Sequence, residues 1–156
     1  MAAMRANVLP IVAAAMCGAA LPACGSGDSV DDGPLQRCVD ETNRYRAMKG
    51  RPPVARSAEL DAYAGDGAAY DHTRNPHDHF RSDSGGGIAW AENECPHWGL
   101  GFGGGTVEGL VDACVQAFYD EGPGGGHYEN MMGDYATLGC GVYVDGDYTI
   151  VQDYGH

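Results

Sequence analysis

The amino-acid sequence predicts an α+β domain, with helices in its earlier part and strands at its end. Three observations predict this. Apolar residues recur with a period near 3.6 in three separate stretches ahead of Asp120. Two runs rich in β-branched and aromatic residues, Val142-Tyr143-Val144 and Tyr148-Thr149-Ile150-Val151, flank Asp145-Gly146 near the end of the chain. Strand and helix signals do not alternate as βαβ units require, so the sheet is expected to be mostly antiparallel.

The first segment reads as an address. Residues 1–23 place one charge, Arg5, ahead of an apolar run through Ala20 that Pro10 and Gly18 interrupt. That is the layout of a secretory signal. It ends at Leu21-Pro22-Ala23-Cys24, which resembles a bacterial lipobox: Leu three residues ahead, a small residue just ahead, then the Cys to be lipidated. The competing reading is ordinary cleavage after Ala23, which leaves Cys24 as a spare thiol and the protein secreted. Residues 24–33 form a polar Gly/Ser/Asp tether. Residues 34–156 form the domain.

Within the domain, Pro34 suits the first helical position. Leu35, Cys38, Val39, Thr42 and Tyr45 then give a helix over about residues 35–48, stopped by Gly50 and Pro52-Pro53. Ser57 caps a second helix with the buried stripe Leu60, Ala64, Gly67 and Ala68. Gly65 and Gly67 weaken that helix by about 1 kcal/mol each and permit close backbone packing. Residues 74–105 show little periodicity and contain Gly85-Gly86-Gly87, Gly103-Gly104-Gly105, Trp90 and Trp98. They read as a long functional loop pinned by Cys95, with the tryptophans as packing. Thr106 caps the clearest helix, in which Val107, Leu110, Val111, Cys114 and Phe118 share a face. Gly122-Pro123-Gly124-Gly125-Gly126 ends it. Asp145-Gly146 predicts a two-residue hairpin between the closing strands.

Charge and cysteines bound the function. The chain carries 9 Lys+Arg against 22 Asp+Glu, and every basic residue lies between Arg5 and Arg81. Residues 82–156 hold 12 acids and no Lys or Arg. Nucleic acid is excluded as a partner, because phosphates need a basic patch. Anionic lipid is excluded as an electrostatic docking surface for the same reason. Contact with a membrane is therefore expected only through the lipid anchor. Of six Cys, Cys17 leaves with the signal and Cys24 takes lipid. Export favours oxidation of Cys38, Cys95, Cys114 and Cys140 to two disulfides. Four cysteines permit three pairings, between which the sequence does not choose. Cys95–Cys114 with Cys38–Cys140 is the preferred one.

Three clusters carry groups capable of chemistry: Asn75-Pro76-His77-Asp78-His79-Phe80, Ala91-Glu92-Asn93-Glu94-Cys95, and Phe118-Tyr119-Asp120-Glu121 with Gly126-His127-Tyr128 beyond a glycine turn. Imidazole with carboxylate can ligate a divalent cation or serve general acid–base work. No H-E-x-x-H, G-x-S-x-G or nucleotide-binding fingerprint is present. No Ser or Cys sits beside a His, so nucleophilic catalysis ranks low. His72, His97 and His156 are expected at the surface, Glu94 and Glu129 as solvated charge, and Met131-Met132 as core filler.

In order and spacing, these segments resemble the CAP superfamily, the cysteine-rich secretory, antigen 5 and pathogenesis-related proteins, also called SCP-like. The resemblance spans about residues 35–155. Asn43-Arg44-Tyr45-Arg46 with Pro52-Pro53-Val54 resembles the family's opening helix and turn. Glu59-Leu60 and the Ala-rich helix resemble its next segment. Ala91-Glu92-Asn93 resembles its "G-E-N", Phe118-Tyr119-Asp120-Glu121 its "W-Y-x-E", and Gly126-His127-Tyr128 its "G-H-[FY]". Gly139-Cys140-Gly141-Val142 and Val151-Gln152-Asp153-Tyr154 resemble its closing strands. The chain departs from the pattern at Ala91 and at Glu129-Asn130-Met131-Met132-Gly133, where the family's Trp is missing, as in a divergent bacterial branch.

The resemblance implies an α-β-α sandwich with a central antiparallel sheet. It also implies a cleft of His77, Glu92, Glu121 and His127 that holds Zn2+ or another divalent cation, with His79 as the alternate to His77. The histidines would be direct ligands. The glutamates would ligate through water or orient the histidines. The implied function is an exported binding module for a lipid or sterol, a cell-wall component or a protein. The alternatives are a metal-assisted hydrolase or peptidase with Glu92 or Glu121 as general base, and a structural surface domain with a vestigial site.

Overall fold

The computed structural model describes residues 32–156. The export signal, Cys17, Cys24 and residues 24–31 of the tether lie outside the described residues. The first helix, α1 (Gly33–Met48), begins inside the stretch assigned to the tether, with Pro34 in its first turn. It buries Cys38, Val39, Thr42 and Tyr45, the face the periodicity marked. Its last turn is clamped to the following bend. Asn43 and Val54 exchange two hydrogen bonds, the side-chain amide donating at 2.9 Å and the Val54 N–H at 2.8 Å. The buried Arg46 guanidinium donates to the carbonyls of Pro52, Met131 and Gly133 at 2.9, 2.8 and 3.0 Å.

Strand β1 (Ala55–Arg56) leads into α2 (Ala58–Asp71), where the Ser57 hydroxyl accepts the Leu60 N–H at 3.3 Å. A short helix, α3 (Asp78–Asp83), precedes strand β2 (Ala91–Trp98). Thr106 caps α4 (Val107–Asp120) by accepting the Gly109 N–H at 3.1 Å. Helix α5 (Gly126–Met132) and strands β3 (Thr137–Asp145) and β4 (Asp147–Gly155) complete the chain. The strand order is β1-β3-β4-β2, with β1–β3 parallel and the other two pairings antiparallel. Helix α2 covers one face of the sheet, and α1, α4 and α5 cover the other. The three layers expected from the resemblance are present.

Close approach of α2 to the sheet comes from glycines on the strand. A Cβ at Gly139 would overlap the backbone of Leu60 and Asp61, and one at Gly141 the backbone of Ala64 and Gly65. Gly67 meets side chains instead of strand backbone: a Cβ there would stand 3.2 Å from His79 Nδ1 and 3.8 Å from Glu92 Oε2. The disulfides are Cys38–Cys140, joining α1 to β3, and Cys95–Cys114, joining β2 to α4. That is the preferred pairing. Met131 is fully buried and Met132 packs on the same core. No helix among the described residues is long and apolar enough to cross a membrane.

Several expectations need correction. The long loop over residues 74–105 contains α3 and the whole of β2. Ala91 to Cys95 are buried on both faces of the sheet, so no apolar–polar alternation marks them as a strand. The Gly-rich turn around residue 126 leads straight into α5, which is too short to show a period. The hairpin has a three-residue connection: Val144 pairs with Tyr148 and Asp145 with Asp147, leaving Gly146 at the apex with φ 81°. Trp90 is 66% exposed and packs no loop, whereas Trp98 sits against the core beside Phe102. His72 and Glu94 are buried, not at the surface.

Candidate functional site

Strand β2 is an edge strand, and the four proposed residues gather around its first half. His77 precedes α3 in a left-handed conformation, φ 66°. For a non-glycine residue that conformation costs about 1 kcal/mol or more. Two bonds from β2 hold it there. The His77 backbone N–H donates to Glu94 Oε2 at 2.7 Å, and ring Nδ1 bonds Glu92 Oε1 at 2.8 Å. Glu92 and Glu94 point to the same face because they are two apart on a strand. The Glu92 hydrogen bond raises His77 above the ordinary imidazole range. Burial raises both carboxyls, Glu94 to about 7.

His127 lies in the first turn of α5. Its ring Nδ1 bonds Glu121 Oε1 at 2.5 Å, and its N–H donates to Glu121 Oε2 at 3.0 Å. Partial burial pushes Glu121 upward, but the His127 bonds outweigh it and hold the carboxyl below its usual range. The glycine turn makes this pairing possible: a Cβ at Gly125 would stand 2.7 Å from Glu121 Oε2. Phe118 packs on the His127 ring at 4.8 Å between centroids. Two amides stitch α5 to β2. Asn130 donates to the Glu92 carbonyl and to Asn93 Oδ1, both at 3.0 Å, and Asn93 donates to the His127 carbonyl at 3.1 Å.

His77 and His127 therefore come from different elements and face each other, with ring centroids 6.3 Å apart. Each Nδ1 is engaged by a glutamate, which leaves each Nε2 for another partner. A ring centroid stands about 3.2 Å from a zinc on its Nε2, so two rings on one tetrahedral ion lie about 5.2 Å apart. The observed spacing is about 1 Å wider, so sharing an ion requires the two rings to move together. His79 is placed elsewhere. It packs against Tyr63 and Tyr70 at 4.7 and 5.7 Å between centroids, with its Nδ1 buried near Gly67.

A second donor set competes for a cation here. His77, Glu92 and Glu94 each offer one ligand atom, all within 4.8 Å of one another. Two of the three groups already bond each other through His77 Nδ1 and Glu92 Oε1, and Glu94 Oε2 is occupied by the His77 N–H. The two-histidine arrangement keeps those bonds. Glu92 Oε2 and Glu94 Oε1 remain buried without a hydrogen-bond partner among the described residues, an acidic setting suited to a nearby cation.

Beside His77 opens a cleft of about 320 Å³, lined by His77, Phe80, Arg81, Trp90, Glu92 and Asn130 among others. Sequence reasoning missed Glu94, Asn93 and Asn130. The period-two spacing of Glu92 and Glu94 would have revealed Glu94, had β2 been recognised.

The family described as "CAP: Cysteine-rich secretory protein family" matches residues 39–154. Solved structures share the fold. NaASP2, solved with Zn2+, has a TM-score of 0.62 and 17% identity, matched over 85% of this chain and 83% of its own. An extracellular protein containing an SCP domain from Bacillus anthracis has a TM-score of 0.53 and 18% identity, over 84% of this chain and 45% of its own. A cysteine-rich secretory protein from Staphylococcus aureus has a TM-score of 0.50 and 18% identity, over 79% and 38%. This chain spans less than half the length of the two bacterial structures. No curated protein matches it in sequence.

Proposed function

The chain belongs to the CAP family of cysteine-rich secretory proteins, and from that premise we propose that it is an exported, lipid-anchored binding module. Its site is the pair His77 and His127 together with the cleft that opens beside His77. The observation that carries this reading is the pair of facing imidazoles, each held by a glutamate at Nδ1, beside a cleft walled by the exposed Trp90. His77 and His127 are the residues that would hold Zn2+ or a similar ion. Glu92 and Glu121 would fix the ring orientations, and the ion would supply a positive centre for an electron-rich ligand group. The crystallisation of NaASP2 with Zn2+ supports this choice.

Phe80 and Trp90 give the cleft an apolar wall and Arg81 a cation. That combination suits an amphiphile with an acidic group, whether a lipid or a cell-wall component. A protein ligand would dock on the same wall. Binding is preferred to nucleophilic catalysis on a specific ground. All four cysteines of the domain are in disulfides, and among the described residues no serine hydroxyl bonds a histidine ring.

Calorimetry with zinc tests the site. The His77→Ala/His127→Ala protein is expected to lose zinc binding at this cleft. Undiminished total zinc binding by the double variant would remove the assignment. Zinc-dependent cleavage of a peptide library, lost in Glu92→Gln, would move the reading from binding module to hydrolase.

A further inference from the structure

We propose that the chain carries a second divalent-metal site, formed by His72, His97 and Asp147 at the opposite end of β2 from the cleft. The three come from different elements. His72 follows the last turn of α2, His97 lies near the end of β2, and Asp147 opens β4 after the hairpin. One ligand atom from each lies within 4.8 Å of the others. Asp147 Oδ1 is 3.1 Å from His97 Nδ1 and 3.6 Å from His72 Nε2. Ligand atoms on a tetrahedral zinc, with bonds near 2.0–2.1 Å, stand about 3.3 Å apart. The two measured spacings bracket that edge. Two imidazoles and one carboxylate form a donor set suited to zinc or another first-row divalent ion.

The ring of His72 is already positioned. It is buried, and its Nδ1 lies 2.9 Å from Thr149 Oγ1. When an ion is bound, Nδ1–H donates to the threonine and Nε2 gives its lone pair to the metal. Tyr143 meets the ring edge-on at 5.0 Å between centroids. Without an ion, Nε2–H donates to the carbonyl of Asp145 at 3.3 Å; a metal on Nε2 takes the place of that proton. His97 is aimed by backbone geometry that its residue type disfavours. It has φ 57°, inside the register shift that separates Cys95 from Trp98 in the β2–β4 ladder. The same threonine hydroxyl accepts the His97 N–H at 3.5 Å.

Residues 82–156 contain no Lys or Arg, so the segment that supplies two of the three ligands brings no competing cation. The site would act as a staple. An ion there ties the C-terminus of α2 to the end of edge strand β2 and to the β3–β4 turn. It binds the folded state only, so it raises thermal stability. His97 and Asp147 are partly exposed, which keeps the remaining coordination positions open to water.

The test is zinc stoichiometry by calorimetry and elemental analysis on the full oxidised chain. It compares wild type, His77→Ala/His127→Ala and His97→Gln/Asp147→Asn; the last pair is partly exposed and leaves buried His72 intact. The expected result is two ions in the wild type and one in each double variant, with none when all four changes are combined. Zinc should still raise the melting temperature of His77→Ala/His127→Ala, and that rise should vanish in the fourfold variant. A wild type that binds one ion, kept by His77→Ala/His127→Ala and lost in His97→Gln/Asp147→Asn, supports this site and removes the cleft site. A wild-type stoichiometry that His97→Gln/Asp147→Asn leaves unchanged overturns the second site and leaves the cleft untouched.

Discussion

On the face covered by α1, α4 and α5, the sheet buries Leu138, Cys140, Ile150 and Tyr154 together with Asn93 and Gln152. On the face covered by α2, it buries Glu92, Glu94 and Asp153 beside Val151. Both faces hide polar groups, but they treat them differently. On the first face the sheet's own buried polar groups are neutral and connected, and the one buried cation packed against them, Arg46 of α1, leaves Nη2 without a partner among the described residues. Gln152 donates to Thr42 Oγ1 at 2.8 Å, and its oxygen accepts from Tyr154 Oη at 2.9 Å and Asn93 Nδ2 at 3.3 Å. The second face uses carboxyls and leaves several oxygens without a partner: both of Asp153, and one each of Asp71, Glu92 and Glu94. A connected neutral network rigidifies a core, whereas unpaired buried carboxyls cost stability unless a proton or a cation joins them. The neutral network thus lies on one face and the buried carboxyls on the other, while the His77/His127 site joins the two layers, with Glu121 at the end of α4 and His127 in α5.

Removing the strongest tie on the neutral face should have the largest effect. Cys38–Cys140 closes a separation of 102 residues. Cys38→Ser/Cys140→Ser is expected to cost about 4 kcal/mol in a urea melt. A loss near zero would mean that packing alone holds α1 to β3.

The charged face should respond to pH where the neutral one does not. Burial, aided by the neighbouring Glu92 and Asp71 charges, pushes Asp153 up to about 9 from an ordinary 3.8. The folded state then keeps a proton that the unfolded chain releases. This contribution is fully present below about pH 4 and is lost as pH rises towards about 9. Stability should fall by about 1 kcal/mol per pH unit between about pH 5 and pH 8, and Asp153→Asn should flatten that slope. Equal slopes in the two proteins would show that Asp153 is ionised when folded.

The two smaller tests probe packing on each face. Gly141→Ala forces a Cβ into the α2 backbone and should cost about 2 kcal/mol. A neutral outcome would show that α2 can lift from β3. Tyr154→Phe removes one donor from the Gln152 network and should cost about 1 kcal/mol, measured by denaturation. A stabilised variant would count against the network's role.

Much of this architecture is legible in residues that act locally. Pro34, Ser57 and Thr106 mark three helix starts, because a ring-fixed φ or a capping hydroxyl works within one turn. The spacing of Leu110, Val111, Cys114 and Phe118 marks the face of α4. Strand β2 escapes that logic. Its Glu92 and Glu94 are charged but buried, while Ala91, Asn93 and Cys95 face the other layer, so both sides of the strand read as unpatterned. The resemblance to CAP proteins supplied the tetrad that periodicity could not. It did not supply Glu94, whose role depends on the conformation of His77.

Alone, the sequence determined the starts of α1, α2 and α4, the hairpin position, the family and the residue types able to hold a cation. Tertiary structure decided which of those residues meet. His77 and Glu92 are 15 positions apart, His72 and Thr149 are 77 apart, and Asn93 bonds the His127 carbonyl across 34. These contacts arise from strand pairing and layer packing, whose partners lie far along the chain. Local propensity carries no record of them.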